Sequence, residues 1–311
     1  MNTPLRIGTR SSPLAVTMAE MLISALRHHH PSLAFEVVKI VTSGDKSQAA
    51  NVPLTETGGK GLFIKELEEA LVAGEIDCAV HSMKDMPTTL PDGLEIACLL
   101  PRGDVRDAFF SRGGVALDDL PQGAVIGTSS LRRQAILLSR RPDLKTVVFR
   151  GNVDKRLQKL HDGVVDATLL AYTGLERLGR KDIVQQILPV DVMLPAVAQG
   201  AIGIEVRSEN TEMKALLAPV HCAVTELRVT AERAFLAVMD GSCRTPLAAL
   251  MSEPDADGVA GFDVLVARPD GTDVKKASYR ETVTTVSAAR DLGTRAGHDL
   301  KAILPDGYFS H

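Results

Sequence analysis

The chain has 311 residues, 45% of them hydrophobic and 24% charged, which is the profile of an ordinary globular protein large enough for two or three domains. A net charge of −4, 4% aromatic residues and no tryptophan exclude the basic, stacking-rich surface of a nucleic-acid binder. The four cysteines (Cys78, Cys98, Cys222, Cys243) form no C-x-x-C pair, which argues against a structural zinc site or a disulfide scaffold.

In chain order, residues 5–8 read as a strand. Ser12 is a good N-cap and Pro13 suits the first helical position, and apolar residues then recur at helical spacing to Leu26. The histidines at 28–30 suit a solvated helix C-terminus, where the dipole favours positive charge. A strand follows over 35–41. Residues 51–61 are polar and glycine-rich and read as a loop, without the spacing of a Walker phosphate loop. An amphipathic helix spans 63–73 and stops at Gly74. Strands are expected over 77–80 and 94–100, with a crossover between domains over 101–107.

In the second half, residues 125–127 form a strand leading into TSSLRRQA, where Ser129 or Ser130 caps a helix that ends at Arg141 before Pro142. Residues 146–149 read as a strand, 153–161 as a helix, 167–171 as a strand, and a short helix runs through Arg177. Strands alternating with helices predict parallel α/β sheets in both halves. Residues 201–206 are strand-like and 224–239 helical, stopped by Gly241. Short strands and turns over 247–285, then a helix from about 287, read as a small α+β domain. The opening residues, MNTPLRIGTR, lack the apolar core of a signal peptide, and no apolar run approaches the ~20 residues of a membrane span. A cytoplasmic protein is expected.

Three features carry chemistry. The first is DCAVHSMKDMP at 77–87, where a buried strand gives way to an imidazole, a hydroxyl, an ammonium and a carboxylate. It is either a reactive site or a polar turn after an edge strand. The second is an internal echo, IGTRSS at 7–12 and IGTSS at 126–130. Each ends a strand and opens a helix, whose free N–H groups and positive dipole end favour anions. Arg10, Arg132, Arg133, Arg150 and Arg156 lie at such helix-opening turns, and Arg177 follows. Arginine keeps its charge when buried and grips carboxylates bidentately, so the set suggests a polyanion site. The third is Cys243 in DGSCRTP. Arg244 favours its thiolate, the preceding helix end opposes it, and an inert buried thiol is the other reading.

These segments resemble the porphobilinogen deaminase (hydroxymethylbilane synthase) family. The likeness runs through IGTRSSPLA, VTSGD, GGKGLFIKELE, DCAVHSMKDMP, RDAF, IGTSSLRRQ, FRGNVDKRL, LPAVAQGAIGIE, LRVTAERAFL and DGSCRTP, in that order. The resemblance implies an α/β fold of three domains: two periplasmic-binding-protein-like α/β lobes, 1–100 with 200–218 and 101–199, and a small C-terminal α+β domain, 219–311. It implies head-to-tail condensation of four porphobilinogen molecules with release of ammonia, giving hydroxymethylbilane. A dipyrromethane cofactor, thioether-linked to Cys243, would prime the chain, and Asp85 would be the catalytic carboxylate. Ser82, Lys84, Asp85, Ser130, Arg132, Arg133 and Arg156 would hold the cofactor. Arg10, Ser12, Arg150, Arg156, Arg177 and Gln199 would hold substrate. Each pyrrole carries an acetate and a propionate, which suits the arginines, and a buried carboxylate would steady a cationic intermediate. No metal, nucleic acid or membrane is implied, and a monomer is expected. PAVAQG stands where the family more commonly has PAVGQG, which alters the backbone before Gln199. The alternative is a non-catalytic two-lobed binding protein for a small polycarboxylate. A hydrolase pairing Cys243 with His81 or His221 finds no support in the spacing.

Overall fold

The computed structural model describes residues 4–44, 64–239, 245–305 and 307–308. Along the chain come β1 (Leu5–Arg10), α1 (Pro13–His29), β2 (Phe35–Ile40), α2 (Lys65–Val72), β3 (Cys78–Ser82) and β4 (Leu94–Leu99). Next are β5 (Asp107–Ser111), β6 (Val125–Gly127), α3 (Leu131–Arg140), β7 (Lys145–Val147), α4 (Val153–His161), β8 (Ala167–Ala171), α5 (Tyr172–Arg177) and β9 (Gln186–Leu188). The chain continues through β10 (Ile202–Arg207), α6 (Thr211–Leu217), α7 (Ala223–Val238), β11 (Leu247–Met251), β12 (Val259–Ala267), β13 (Val274–Thr282) and α8 (Val286–Ala302). The described residues divide into two compact units, Met1–Gly103 with Gly200–Thr225, and Asp104–Gln199 with Glu226–His311.

The first unit is one five-stranded sheet in the order β2-β1-β3-β10-β4. Helices cover both faces, so its central strands β3 and β10 are buried along nearly their whole length rather than on alternate residues. On one face α1 buries Ala15, Met18, Leu22 and Leu26 against Ile7, Cys78, Val80, Ile202 and Ile204. On the other, α2 sets Leu67, Ala70 and Leu71 against Ile76, Ala79 and Leu94. Ser12 Oγ accepts from Ala15 N at 3.3 Å and Pro13 opens the helix, as the sequence requires. At the other end His28 and His29 form the last turn, and His30 is tied by its Nε2 to Leu216 O at 3.0 Å.

The second unit holds a five-stranded sheet of order β7-β6-β8-β5-β9 and the three-stranded sheet β11-β12-β13. Phe109, Ile126, Ala167 and Leu169 pack under Ala135, Ile136 and Leu137 of α3, and Ala248, Leu265 and Ala267 of the small sheet join the same cluster. The opposite face carries Ala108, Phe110 and Leu170 against Phe149, Leu160 and Leu175. Helices α7 and α8 approach closely because Gly293 faces Ala231 O and Gly297 faces Val238, where no side chain would fit. The fold is thus mixed α/β, with two sheet-bearing lobes and a small C-terminal sheet domain.

The expectation of parallel sheets holds for part of each lobe. β1 pairs parallel with β2 and β3, and β6 pairs parallel with β7 and β8. The fourth strand of each sheet runs the other way: β10 is antiparallel to β3 and β4, and β5 to β8 and β9. Neither β10 nor β5 is reached through a right-handed βαβ crossover from its partners, the connection that forces parallel pairing. Strands β5 and β9 were not anticipated; β5 begins at Asp107, the residue expected to close a crossover.

Candidate functional site

The sequence echo is a structural one. β1 and β6 hold the same place in their sheets, and each runs through Ile-Gly-Thr into a capped helix. The glycine makes room for a neighbour: a Cβ on Gly8 would collide with Ile76, and one on Gly127 would lie 2.5 Å from Phe149 Cγ. Ser130, not Ser129, is the second cap, accepting from Arg133 N at 3.4 Å. Ser129 Oγ instead donates to Phe149 O at 2.9 Å and accepts from Phe149 N at 3.1 Å, which fixes the strand end leading to Arg150. Arg10 and Ser12 are half-buried at the first turn.

Arg132 and Arg133 are buried, not solvated. Arg133 grips Asp107 bidentately, Nη2 to Oδ1 at 2.8 Å and Nε to Oδ2 at 3.1 Å. Arg132 Nη2 reaches Oδ2 at 2.8 Å, and Gln199 Nε2 donates to Oδ1 at 2.9 Å. Burial alone would raise the Asp107 carboxyl, but the Arg132 and Arg133 charges outweigh it and hold it far below the usual carboxylate range. Burial pushes the Arg132 guanidinium down despite Asp107, and its Nε is buried without a hydrogen-bond partner. One carboxylate therefore faces two guanidiniums, and positive charge is left over.

That surplus extends to Arg156. Its Nε donates to Gly151 O at 2.9 Å. Burial, then the charges of Arg133 and Arg150, push its pKa down to about 10. Burial likewise lowers Arg177 to about 10. A guanidinium disfavoured by burial and by neighbouring positive charge gains when an anion arrives, which is the chemistry Arg156 offers a carboxylate. The donor set thus fits a dipyrromethane bearing acetate and propionate groups.

Gln199 is 1% exposed, and Nε2 also donates to Val105 O at 2.7 Å. It follows Ala198, the one non-glycine residue with positive φ, 58°, among the described residues. This is the position where glycine is the commoner choice, and the left-handed conformation explains why. Ala198 N donates at 2.7 Å to the buried Glu232, whose other oxygen accepts from Met251 N at 3.0 Å.

In the first unit β3 delivers Ser82, and a single 3₁₀ turn, Met83–Asp85, follows. Ser82 and Lys84 are half-buried and Asp85 is exposed, where a buried carboxylate was expected. A three-residue turn on a strand end leaves its last side chain pointing away from the core. Met83 is the anchor, 2% exposed, with its N–H on Ala201 O at 3.1 Å. Cys243, Arg244, Gly241, Phe63 and the stretch 51–61 lie outside the described residues. Cys78, Cys98 and Cys222 are free thiols, and burial pushes Cys98 up to about 12 and Cys78 higher still, so neither is a nucleophile at neutral pH.

Sequence reasoning missed Asp107, Glu205 and Glu232. Glu205 is a carboxylate inside an apolar run, a pattern that signals a buried charge needing a partner; Asp107 and Glu232 each adjoin an arginine and carry no such local signal. Glu205 Oε2 lies 2.8 Å from His81 Nε2, and both side chains are buried. Burial, then the Glu205 charge, raises the carboxyl of nearby Glu68.

Two mixed-sheet lobes, each with a strand that runs through Ile-Gly-Thr into a capped helix, define a two-lobed α/β class of protein. Comparison with known proteins narrows the class. A family model described as porphobilinogen deaminase, dipyromethane cofactor binding domain, matches residues 5–215, and one described as porphobilinogen deaminase, C-terminal domain, matches 226–302. The porphobilinogen deaminase of Paracoccus denitrificans is 50% identical over 309 residues, covering 98% of this chain and 96% of that protein. The chloroplastic porphobilinogen deaminase of Oryza sativa is 48% identical over 309 residues, 98% of this chain and 85% of that protein. That of Pisum sativum is 50% identical over 311 residues, 98% and 83%. Among solved structures, the VFT2 domain of Bordetella pertussis BvgS aligns at a TM-score of 0.42 and 15% identity, over 70% of this chain and 85% of that one, which adds nothing to the topology above. The chain belongs to the porphobilinogen deaminase family, transferases of tetrapyrrole biosynthesis that carry a dipyrromethane cofactor. No helix among the described residues is long and apolar enough to cross a membrane.

Proposed function

We propose that the protein condenses four porphobilinogen molecules head to tail into hydroxymethylbilane, with Cys243 as the attachment point of its cofactor and Asp85 as the catalytic carboxylate. The observation that carries the binding part is the buried Arg156, whose guanidinium is disfavoured by burial and then by the charges of Arg133 and Arg150, a cost that a ligand carboxylate relieves. Dipyrromethane supplies, when bound, a primer whose free pyrrole carbon takes the next unit.

The chain's own residues do the rest. Ser130, Arg132, Arg133 and Arg156, with Ser82, Lys84 and Asp85, hold the cofactor. Arg10, Ser12, Arg150, Arg156, Arg177 and Gln199 orient substrate through its acetate and propionate. Asp85, carried on a short turn with its carboxylate outward, accepts the pyrrole N–H and steadies the positive charge that develops as the substrate's aminomethyl nitrogen leaves as ammonia. Gln199 also keeps Asp107 in register with both arginines. The protein acts as a cytoplasmic monomer without nucleic acid, in keeping with its charge of −4.

Intact mass tests the attachment. Wild-type protein from cells that make the cofactor should exceed its polypeptide mass by two pyrrole units. Cys243→Ser should not, while Cys78→Ser, Cys98→Ser and Cys222→Ser should. A wild-type mass equal to the bare chain sinks the reading and leaves the non-catalytic binder.

A further inference from the structure

The buried His81–Glu205 pair has no part in the chemistry above, yet it lies at the base of the Asp85 turn. His81 is 5% exposed and Glu205 0%, and their side chains meet at 2.8 Å. A buried polar pair returns little more than the desolvation of its groups costs, so it is a poor stabiliser, and its best-attested use is to fix register. Register matters here, because a one-residue slip of β3 on β10 would turn every side chain to the opposite face.

Two further features sit at the same place. In the β3–β10 ladder His81 faces Gly203 and Ala79 faces Glu205, so the pair is diagonal, on the sheet face covered by α2. The register of β10 against β4 shifts between Ile204 and Glu205, a bulge of the kind that re-aims a side chain. At Gly203 a side chain would collide with Met83 Sδ, so the glycine seats the anchor of the turn. Met83 N–H bonds Ala201 O at 3.1 Å, and Met86 N–H bonds Met83 O at 3.3 Å. The turn is thus clamped to β10 through backbone, Met83 and the His81–Glu205 hydrogen bond.

We infer that His81 and Glu205 are positioning residues for the catalytic turn: their hydrogen bond, rather than their charge, locks the end of β3 on β10 and so sets where Lys84 and Asp85 are presented. This rests on the reading of Asp85 as the catalytic carboxylate. Both side chains are buried, so they act through the backbone of β3 and β10.

The test compares two double variants of the holoenzyme with wild type, each checked by intact mass for its cofactor. His81→Leu with Glu205→Leu removes the polar link and leaves no lone buried charge. His81→Gln with Glu205→Gln keeps a neutral hydrogen-bonded link. The readouts are thermal midpoint, kcat and KM for porphobilinogen, and hydrogen–deuterium exchange of peptides covering 80–90. The apolar pair should remain folded, lose at least tenfold in kcat with KM within twofold, and exchange faster at 80–90 alone. The amide pair should keep kcat within fivefold and its protection. Unchanged exchange at 80–90 in the folded apolar pair overturns the inference, as does an equal loss of kcat in both pairs. If the apolar pair does not fold, the amide pair decides alone: protection and kcat within fivefold support the lock, and loss of either defeats it. Asp85→Asn is measured alongside. Near-normal turnover there defeats the reading of Asp85, whereas the exchange data judge the lock on their own.

Discussion

Arg133 and Asp107 share two parallel hydrogen bonds, Nη2 to Oδ1 at 2.8 Å and Nε to Oδ2 at 3.1 Å, with Asp107 wholly buried at the start of β5. Asp107→Asn would leave the Arg132 and Arg133 charges buried without their counter-charge, a loss worth about 3–5 kcal/mol. The sign with pH follows from the depressed carboxyl. A carboxyl lowered on folding stabilises the native state above its unfolded pKa of about 3.9, and the contribution fades as pH falls below that. The stability gap between wild type and Asp107→Asn, from urea unfolding, should be constant between pH 5 and 7 and narrow steadily below pH 4. A gap under about 1 kcal/mol at pH 7 would show that the pair is not what holds the arginines.

Asp107 also marks where sequence reading stopped. The helix α3, its cap in Ser-x-x-Arg and strand β6 were legible because caps and periodicity are local. The residues DAFFS were not, because a strand buried on both faces shows no alternation and an aspartate at its start reads as loop. The directions of β5 and β10 were hidden for another reason: pairing sense is set by partners far along the chain. The arginines were legible as a group, yet their division was not. Arg132 and Arg133 hold a carboxylate of the protein, while Arg156 is left among like charges. That distinction depends on Asp107 lying opposite, 25 and 26 residues away in sequence. The substitution at Ala198 was legible from the family pattern, and the φ of 58° gives its physical meaning.

Gly127 offers a test of how the second helix-opening turn is built. A Cβ there would sit between 2.5 and 2.9 Å from three atoms of the Phe149 ring, which is 3% exposed and has nowhere to go. Gly127→Ala should therefore cost about 1–3 kcal/mol by overpacking. It should also raise KM for porphobilinogen, since Phe149 precedes Arg150 and is stapled to Ser129 on both its N–H and C=O. Loss of stability with KM unchanged would separate the turn from substrate binding.

Arg156 and Arg132, both proposed to hold the cofactor, differ in what the fold itself asks of them. Burial, then the charges of Arg133 and Arg150, disfavour the Arg156 guanidinium, and its Nε is held by a neutral acceptor, Gly151 O, rather than by a carboxylate. Arg132, by contrast, balances Asp107. Leucine at each position should give opposite signatures. Arg132→Leu should lower the thermal midpoint, because it strips a partner from a buried carboxylate. Arg156→Leu should leave the midpoint equal or higher and still damage function. With limiting porphobilinogen, intact mass should show wild type carrying a ladder of one to four added pyrroles. Arg156→Leu should keep the primer but stall early on the ladder, because each added unit brings two more carboxylates for which its charge is missing. Binding in the wild type should also weaken as pH rises through about 10, where Arg156 loses its proton, and that dependence should shrink in Arg156→Leu, the remainder being due to Arg177, which burial also lowers to about 10. A lower midpoint with a normal ladder in Arg156→Leu would place the residue in the scaffold, and the surplus charge would then have to serve a different ligand.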